Sequence, residues 1–158
     1  MYKYRNTNQD DFNIIATFPQ NKVELFYMFP RGLFPVKPEQ LYEVSMTRLL
    51  PTVIEYCDEI VGYSNLYDLV TGDHCWLGNV IINPRYRGKG AGKYLVNLMI
   101  ERARKELEVQ ELRLVCHNTN TGALLLYNKI GFKPFEIKIM NDYGGNEIAG
   151  IKMKKEIL

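Results

Sequence analysis

Apolar and polar positions change period several times along this chain of 158 residues, and each change marks the edge of an element. Tyr2 to Arg5 reads as a short first strand. Asp10 or Asp11 offers a helix N-cap ahead of a narrow apolar face, Phe12, Ile15, Ala16 and Phe18, and Pro19 stops that helix. Lys22 to Met28 predicts one or two helical turns closed by Pro30. Pro38 suits the first position of a third helix over 38–47. After Pro51, β-branched and aromatic residues predict strands over Thr52–Tyr56 and Ile60–Asp68 around a turn at Cys57-Asp58-Glu59. Thr71-Gly72-Asp73 is the next turn. Cys75 to Ile82 is a fourth strand, nearly continuous in apolar residues, and is expected to be central and covered on both faces. Past a glycine-rich loop, an apolar-periodic segment begins at Tyr94, and Leu95, Leu98, Met99, Arg102 and Ala103 recur at helical spacing towards Leu107. Glu111–His117 reads as a strand and Thr121–Ile130 as a short helix bounded by Gly131. Phe132–Met140 and Glu147–Lys155 are two more strands, joined by the turn-forming run Asn141 to Asn146.

That order predicts a single domain over residues 1–158 of the α/β (α+β) class, a mixed sheet of about six or seven strands with about four helices packed on it. The stretch 26–36 is rich in aromatic residues and broken by prolines and a glycine, so it is no long regular element. It reads equally well as the wall of a substrate pocket and as a wrap over the core.

Composition narrows the picture. Apolar residues make up 46% and charged residues 24%, an ordinary globular mixture. The net charge is +2 with no run of five like charges, which argues against a dedicated nucleic-acid binder. No apolar run reaches membrane-spanning length, and the first residues lack an apolar signal region. Cys57, Cys75 and Cys116 have no C-x-x-C spacing and read as reduced thiols in a cytoplasmic protein. His74 and His117 have no partner at metal-ligand spacing, so no metal is expected, and each reads most simply as a loop or strand-end residue. The oligomeric state stays open, a homodimer included.

The chemistry concentrates between Trp76 and Leu95. An apolar strand ends at Asn83-Pro84, a basic glycine-rich loop runs from Arg85 to Gly92, and a helix follows. Such a loop presents free backbone N–H groups at the positive end of a helix, an arrangement suited to a pyrophosphate. Arg85, Arg87, Lys89 and Lys93 add charge, and Gly88, Gly90 and Gly92 permit φ > 0 and close approach. A Walker A loop does not fit, because Tyr94 follows Lys93 and Arg87 occupies the first glycine position. The dinucleotide pattern G-x-G-x-x-G does not fit either, since Lys93 stands at its third glycine. Arg87, Gly90 and Gly92 do match R-x-x-G-x-G, which resembles the acyl-CoA pyrophosphate loop of the GNAT superfamily of N-acetyltransferases.

A second stretch carries the same resemblance. Asn120, Ala123, Leu126, Tyr127, Lys129, Gly131 and Phe132 fall on the family pattern N-x-x-A-x-x-L-Y-x-K-x-G-F. The two motifs cover Trp76 to Phe132, and the first 50 residues match no motif of the family. The resemblance implies acetyl-CoA as co-substrate and an amine acceptor. It implies a splayed pair of parallel strands in a mostly antiparallel sheet, with a β-bulge beside it. Val80, Ile81 and Ile82 would offer backbone groups to the pantetheine arm. Arg87, Gly88, Lys89, Gly90, Ala91 and Gly92 would hold the pyrophosphate. Asn120, with Asn118 as a neighbouring candidate, would bond the arm, and Asn118 also reads as a plain strand-end residue. Tyr127 would stand near the thioester sulfur and protonate the departing thiolate.

An alkyl ammonium has a pKa of about 10.4 and must lose a proton before it attacks. Many family members use a glutamate on or near the fourth strand, yet Trp76 to Asn83 contains no Asp, Glu or His. Glu24, Glu43, Asp68, Asp73 and His74 are candidates without motif support, and a water chain serves equally, so the base is unassigned. The expected activity is direct acetyl transfer to a primary amine in a ternary complex, with a small-molecule acceptor favoured by the 26–36 segment. A peptide N-terminus or lysine as acceptor, a non-catalytic acyl-CoA-binding module, and a nucleotide-binding protein are the competing readings.

Overall fold

The computed structural model describes all of residues 1–158. The elements are β1 (Lys3–Asn6), α1 (Asp11–Ile15), α2 (Lys22–Met28), α3 (Pro38–Ser45), β2 (Leu49–Tyr56), β3 (Glu59–Val70), β4 (His74–Ile82), a 3-10 turn (Pro84–Tyr86), α4 (Ala91–Glu106), β5 (Glu111–His117), α5 (Thr121–Ile130), β6 (Lys133–Asn141) and β7 (Glu147–Glu156). The seven strands form one open sheet in the order β1-β2-β3-β4-β5-β7-β6. Every neighbouring pair is antiparallel except β4 with β5, which is parallel. Five helices pack on it, α1 and α2 being separate short helices on either side of Pro19.

Two apolar cores lie on opposite faces. Helices α4 and α5 cover one face, where Leu95, Met99 and Tyr127 meet Ile54, Leu66, Cys75, Leu77 and Leu112. Helices α1 to α3 cover the other, where Phe12, Leu25 and Leu41 meet Val53, Tyr63 and Ile81. Strand alternation alone cannot put Leu77 and Ile81 on opposite faces, since residues four apart along a strand share one. A β-bulge resolves this. Gly78 pairs with Asn65 and Ile81 with Tyr63, so β4 carries one more residue than β3 between these pairs. Asn79 sits in the bulge at φ 51°. The extra residue inverts the parity of everything after it.

Three expectations are corrected. Strand β2 begins at Leu49, ahead of Pro51. Its pairing with β3 shifts between Leu49 and Thr52, and Leu50 has φ 46°, so the proline lies in an irregular stretch where no ladder N–H is required. Strand β4 is not covered on both faces: Trp76, Gly78, Asn79 and Val80 are only half-buried. The cause is a cleft on the α1–α3 face combined with the departure of β5. Helix α4 begins at Ala91, three residues before its first large apolar position, Tyr94, because its opening turn is built from small and charged residues.

Candidate active site

Strands β4 and β5 pair only at His74 with Glu111, Cys75 with Leu112 and Trp76 with Arg113. Both strands continue, β4 to Ile82 and β5 to His117, without further pairing. The β5-facing edge of Leu77 to Ile82 therefore has no strand partner. A strand edge of this kind binds amides as a further strand would.

The bulge at the mouth of this opening is held from behind. The Asn79 amide donates to the Met28 carbonyl at 2.8 Å, and its oxygen accepts from Asn65 Nδ2 at 2.9 Å. Asn65 also donates to the Tyr63 hydroxyl at 2.9 Å and accepts from Arg48 Nη1 at 3.3 Å. The positive φ of Asn79 is thus supported by a polar network reaching α2 and the end of α3. Asn tolerates this conformation better than most residues.

At the far end of β4 the chain turns through Pro84–Tyr86. Asn83 caps the turn, accepting from the Arg85 N–H at 3.0 Å. Glu59 accepts from Arg85 Nη1 at 3.0 Å and from the Tyr86 hydroxyl at 2.7 Å. Gly88 (φ 73°) and Gly90 (φ 86°) adopt left-handed conformations with open space where a side chain would stand. Their requirement for glycine is conformational. Gly92 answers to packing, since a Cβ there would lie 3.3 Å from Leu126 of α5. No backbone or side-chain acceptor takes the N–H groups of Gly88 to Lys93. Helix α4 is 16 residues long, and its N-cap, Gly90, makes no side-chain cap bond. Six successive free donors at the positive end of a long helix make a cradle of a kind suited to an anion.

The basic residues of the loop divide. Arg85 is paired with Glu59. Arg87 turns inward: Nε donates to the Ile82 carbonyl at 3.1 Å, Nη2 to the Phe18 carbonyl at 3.2 Å and Nη1 to Glu24 at 2.8 Å. Its guanidinium braces the end of β4 against α1 and α2, and its N–H closes the 3-10 turn on the Pro84 carbonyl at 3.5 Å, so the free donors begin at Gly88. Lys89 and Lys93 have no ion-pair partner and remain beside the cradle.

Across the opening, the side-chain oxygen of Asn118 accepts the Ala149 N–H at 2.9 Å and so ties β5 to β7. That is the plain strand-end role. Asn120 is the N-cap residue of α5, makes no side-chain cap bond and is half-buried, so its amide is available. Tyr127, on α5, is 8% exposed. Burial, with a smaller contribution from Cys116, raises its phenol well above the usual range, and no hydrogen bond to another side chain offsets this. The phenol stays protonated at neutral pH.

On the opposite face a cleft of about 790 Å³ opens at the splay, walled by Tyr27 to Arg31, the end of α3, Trp76 to Asn79 and β5. The 26–36 segment both wraps the core and walls this cleft. Met28 and Val36 are buried in the second core, while Tyr27, Phe29, Pro30 and Arg31 wall the cleft. Of the candidate bases only Asp68 lines this cleft. Glu24 is paired with Arg87, Glu43 is exposed, and Asp73 pairs with His74 at the distant β3–β4 turn.

His117 is the residue that sequence reasoning passed over. It closes β5, is 4% exposed, lines the cleft, and its Nε2 is buried without a hydrogen-bond partner. Its ring lies 4.4 Å from that of Phe26 and stacks at 5.8 Å on Tyr27. Burial first and Lys138 second hold its pKa below 6.5, so the ring is neutral at pH 7 and able to accept a proton. Its position at the end of the second splayed strand was the available signal.

The Acetyltransferase (GNAT) family model matches residues 15–132. Among curated proteins, the ribosomal protein bS18-alanine N-acetyltransferase of Haemophilus influenzae is 36% identical over 97 residues, 58% of this chain and 62% of that one. Spermine/spermidine N(1)-acetyltransferase of Bacillus subtilis is 27% identical over 90 residues, 52% of this chain and 59% of that one. The chain thus matches less than two thirds of the length of these relatives. Spermidine N-acetyltransferase of Vibrio cholerae, solved with CoA and spermine, superposes with a TM-score of 0.82 over 99% of this chain and 95% of that one at 19% identity, which speaks for the fold. With a family model spanning most of its length and the splayed sheet to match, the chain belongs to the GNAT acetyltransferase family.

Proposed function

We propose that this protein transfers the acetyl group of acetyl-CoA to a small primary amine in one ternary complex. The observation that carries the proposal is the continuity of two features: the six unpaired N–H groups of Gly88 to Lys93, and the unpartnered edge of Leu77 to Ile82 leading from them to the splay. Together they suit a ligand with a pyrophosphate at one end and amides along an extended arm. Val80 to Ile82 and the Asn120 amide would hold that arm, and the free N–H groups of Gly88 to Gly92 the pyrophosphate. The placement of the cleft on the other face supports entry of the amine from the side opposite α4. The presence of CoA with the Vibrio cholerae relative supports the same cofactor here. Three cysteines in no disulfide support a cytoplasmic setting.

The neutral amine attacks the thioester carbonyl, a tetrahedral intermediate forms, the C–S bond breaks and the sulfur leaves as thiolate. Tyr127 is the proposed donor to that sulfur. A phenol raised by burial is a weak acid, but the same burial acts on thiols, and it pushes Cys116 up to about 12. Burial that raises a phenol also makes a thiolate released beside it more basic, and so a better acceptor of the phenol's proton. His117 and Asp68 are the proposed receivers of the amine's proton.

The test is free-thiol release from acetyl-CoA across amino acids, polyamines, aminoglycosides and short peptides, alongside thermal unfolding. Acetyl-CoA at 100 times its Kd is expected to stabilise the protein by about 2.7 kcal/mol. No stabilisation by acetyl-CoA overturns the cofactor reading. Stabilisation without thiol release from any amine overturns the transfer reading and favours a binding module.

A further inference from the structure

The cleft on the α1–α3 face is cationic. Arg31, Arg48, Lys138 and Lys152 line it, against Asp68 as its one carboxylate. Lys152 is paired with Glu136, whereas the side chains of Arg31 and Lys138 have no ion-pair partner. Arg48 is the most telling of the four. It is half-buried, donates to the neutral Asn65 amide at 3.3 Å, lies 4.1 Å above the Tyr67 ring and has no carboxylate partner. Burial lowers its pKa, and Asp68, near enough to act on it but outside ion-pair distance, offsets this only in part. A Cβ on Gly78 would come within 2.5 Å of its guanidinium, so Arg48 lies flat against β4 one residue from the bulge. A protein leaves a half-buried arginine without an anion at a stability cost, which a bound oxyanion removes.

We propose, on the acetyl-transfer reading of this site, that the acceptor is a small amine that also carries an oxyanion, a carboxylate or a phosphorus oxyanion, seated on Arg48 with Arg31 and Lys138 flanking it. A fork-shaped guanidinium suits a planar or tetrahedral oxyanion, and Arg48 would set it beside the bulge where the amine must meet the thioester. The same cations disfavour a polyamine, which brings several positive charges into a cleft with one carboxylate. They also disfavour the ammonium form of the bound amine and lower its pKa. That accounts for a β4 without a glutamate: a cleft that eases the proton off the amine needs only a weak receiver such as neutral His117.

The experiment is calorimetric titration of the CoA-saturated protein with three sets of amines, followed by thiol-release kinetics with the same compounds. The first set is α-amino acids and aminoalkylphosphonates, the second the carboxamides of the amino acids and the neutral dialkyl esters of the phosphonates, and the third spermidine. At least one oxyanion-bearing amine is expected to bind about 10- to 100-fold more tightly than its carboxamide or ester, the loss expected for a charge-assisted hydrogen bond. The carboxylate and phosphonate arms decide which oxyanion is preferred. Arg48→Gln is expected to collapse the ratio of acid to amide or ester towards one, a readout that loss of packing alone does not move. Lys138→Gln, on the exposed edge strand β6, carries no folding risk and is expected to weaken only the oxyanion-bearing set, by an amount that shrinks as salt is raised. Binding of spermidine or of the carboxamides and esters as tightly as the acids, or no binding of any acid, overturns the proposal. Selective binding without thiol release leaves the oxyanion site standing and overturns the transfer reading.

Discussion

Asn79 is the residue through which the bulge is best interrogated, because its backbone and side-chain contributions can be separated. Replacement by Gly keeps φ 51° accessible and removes the bonds to Met28 and Asn65. Two neutral hydrogen bonds at about 1 kcal/mol each set an expected loss of about 2 kcal/mol. Replacement by Ala removes the same bonds and forces a Cβ into the left-handed region, which costs about 1–2 kcal/mol. Ala also restricts the unfolded chain relative to Gly, worth about 0.4–1 kcal/mol in the opposite sense. At the middle of these ranges, about 1.5 kcal/mol of strain against about 0.7 kcal/mol of restriction, Asn79→Ala should lie about 0.8 kcal/mol below Asn79→Gly. Urea unfolding without ligand reads both values from the midpoints at constant m. Thiol-release kinetics should follow the same order, since a relaxed bulge lets β4 regain regular pairing with β3 and turns Ile81 off its core. Equal stability of the Ala and Gly variants, or a loss under about 0.5 kcal/mol in both, would refute the view that the network holds a strained bulge.

Four further outcomes follow from the geometry. Tyr127→Phe removes a hydroxyl bonded to no other side chain, so acetyl-CoA should still raise the melting temperature as in the wild type while kcat falls about 100-fold or more; unchanged kcat removes Tyr127 from the chemistry. Gly90→Ala meets no steric clash but forces φ 86° on alanine, and the Kd for acetyl-CoA by calorimetry should rise about 10-fold as the loop relaxes out of its cradle. Arg87→Ala should lower the melting temperature of the ligand-free protein, because its guanidinium holds Ile82, Phe18 and Glu24; an effect confined to acetyl-CoA binding would assign that guanidinium to the phosphates instead. Burial would raise the Asp11 carboxyl, but the Arg5 guanidinium and the Asn8 N–H together hold it below 3.8. A depressed carboxylate stabilises the fold above the unfolded value and loses that contribution as pH falls through the folded one. The stability difference between wild type and Asp11→Asn should therefore be full at about pH 5 and shrink below about 3.8 in acid titrations followed by circular dichroism.

Most elements of this fold were legible in the chain because they obey short-range rules. Pro38 opens α3 and the glycine after Ile130 closes α5 through backbone preferences that no tertiary contact is needed to state. The cradle was legible for the same reason: glycines at Gly88 and Gly90 ahead of an apolar-periodic helix prescribe a left-handed turn into a free helix N-terminus, whatever packs around it. Charge placement was not legible. Arg85 and Arg87 read as added positive charge in the loop, yet Glu59 and Glu24, 26 and 63 residues away in the chain, are brought to pair with them only by folding. The converse holds for Arg48, Lys138 and His117, ordinary residues in three separate segments that the splay of β4 from β5 gathers around one cleft. A bulge beside the splay followed from the resemblance, but its place at Asn79 is visible only against the register of β3. Local conformation is decided within a few residues. The sign of a cleft's charge is decided by which carboxylates the fold brings near it and which it carries away.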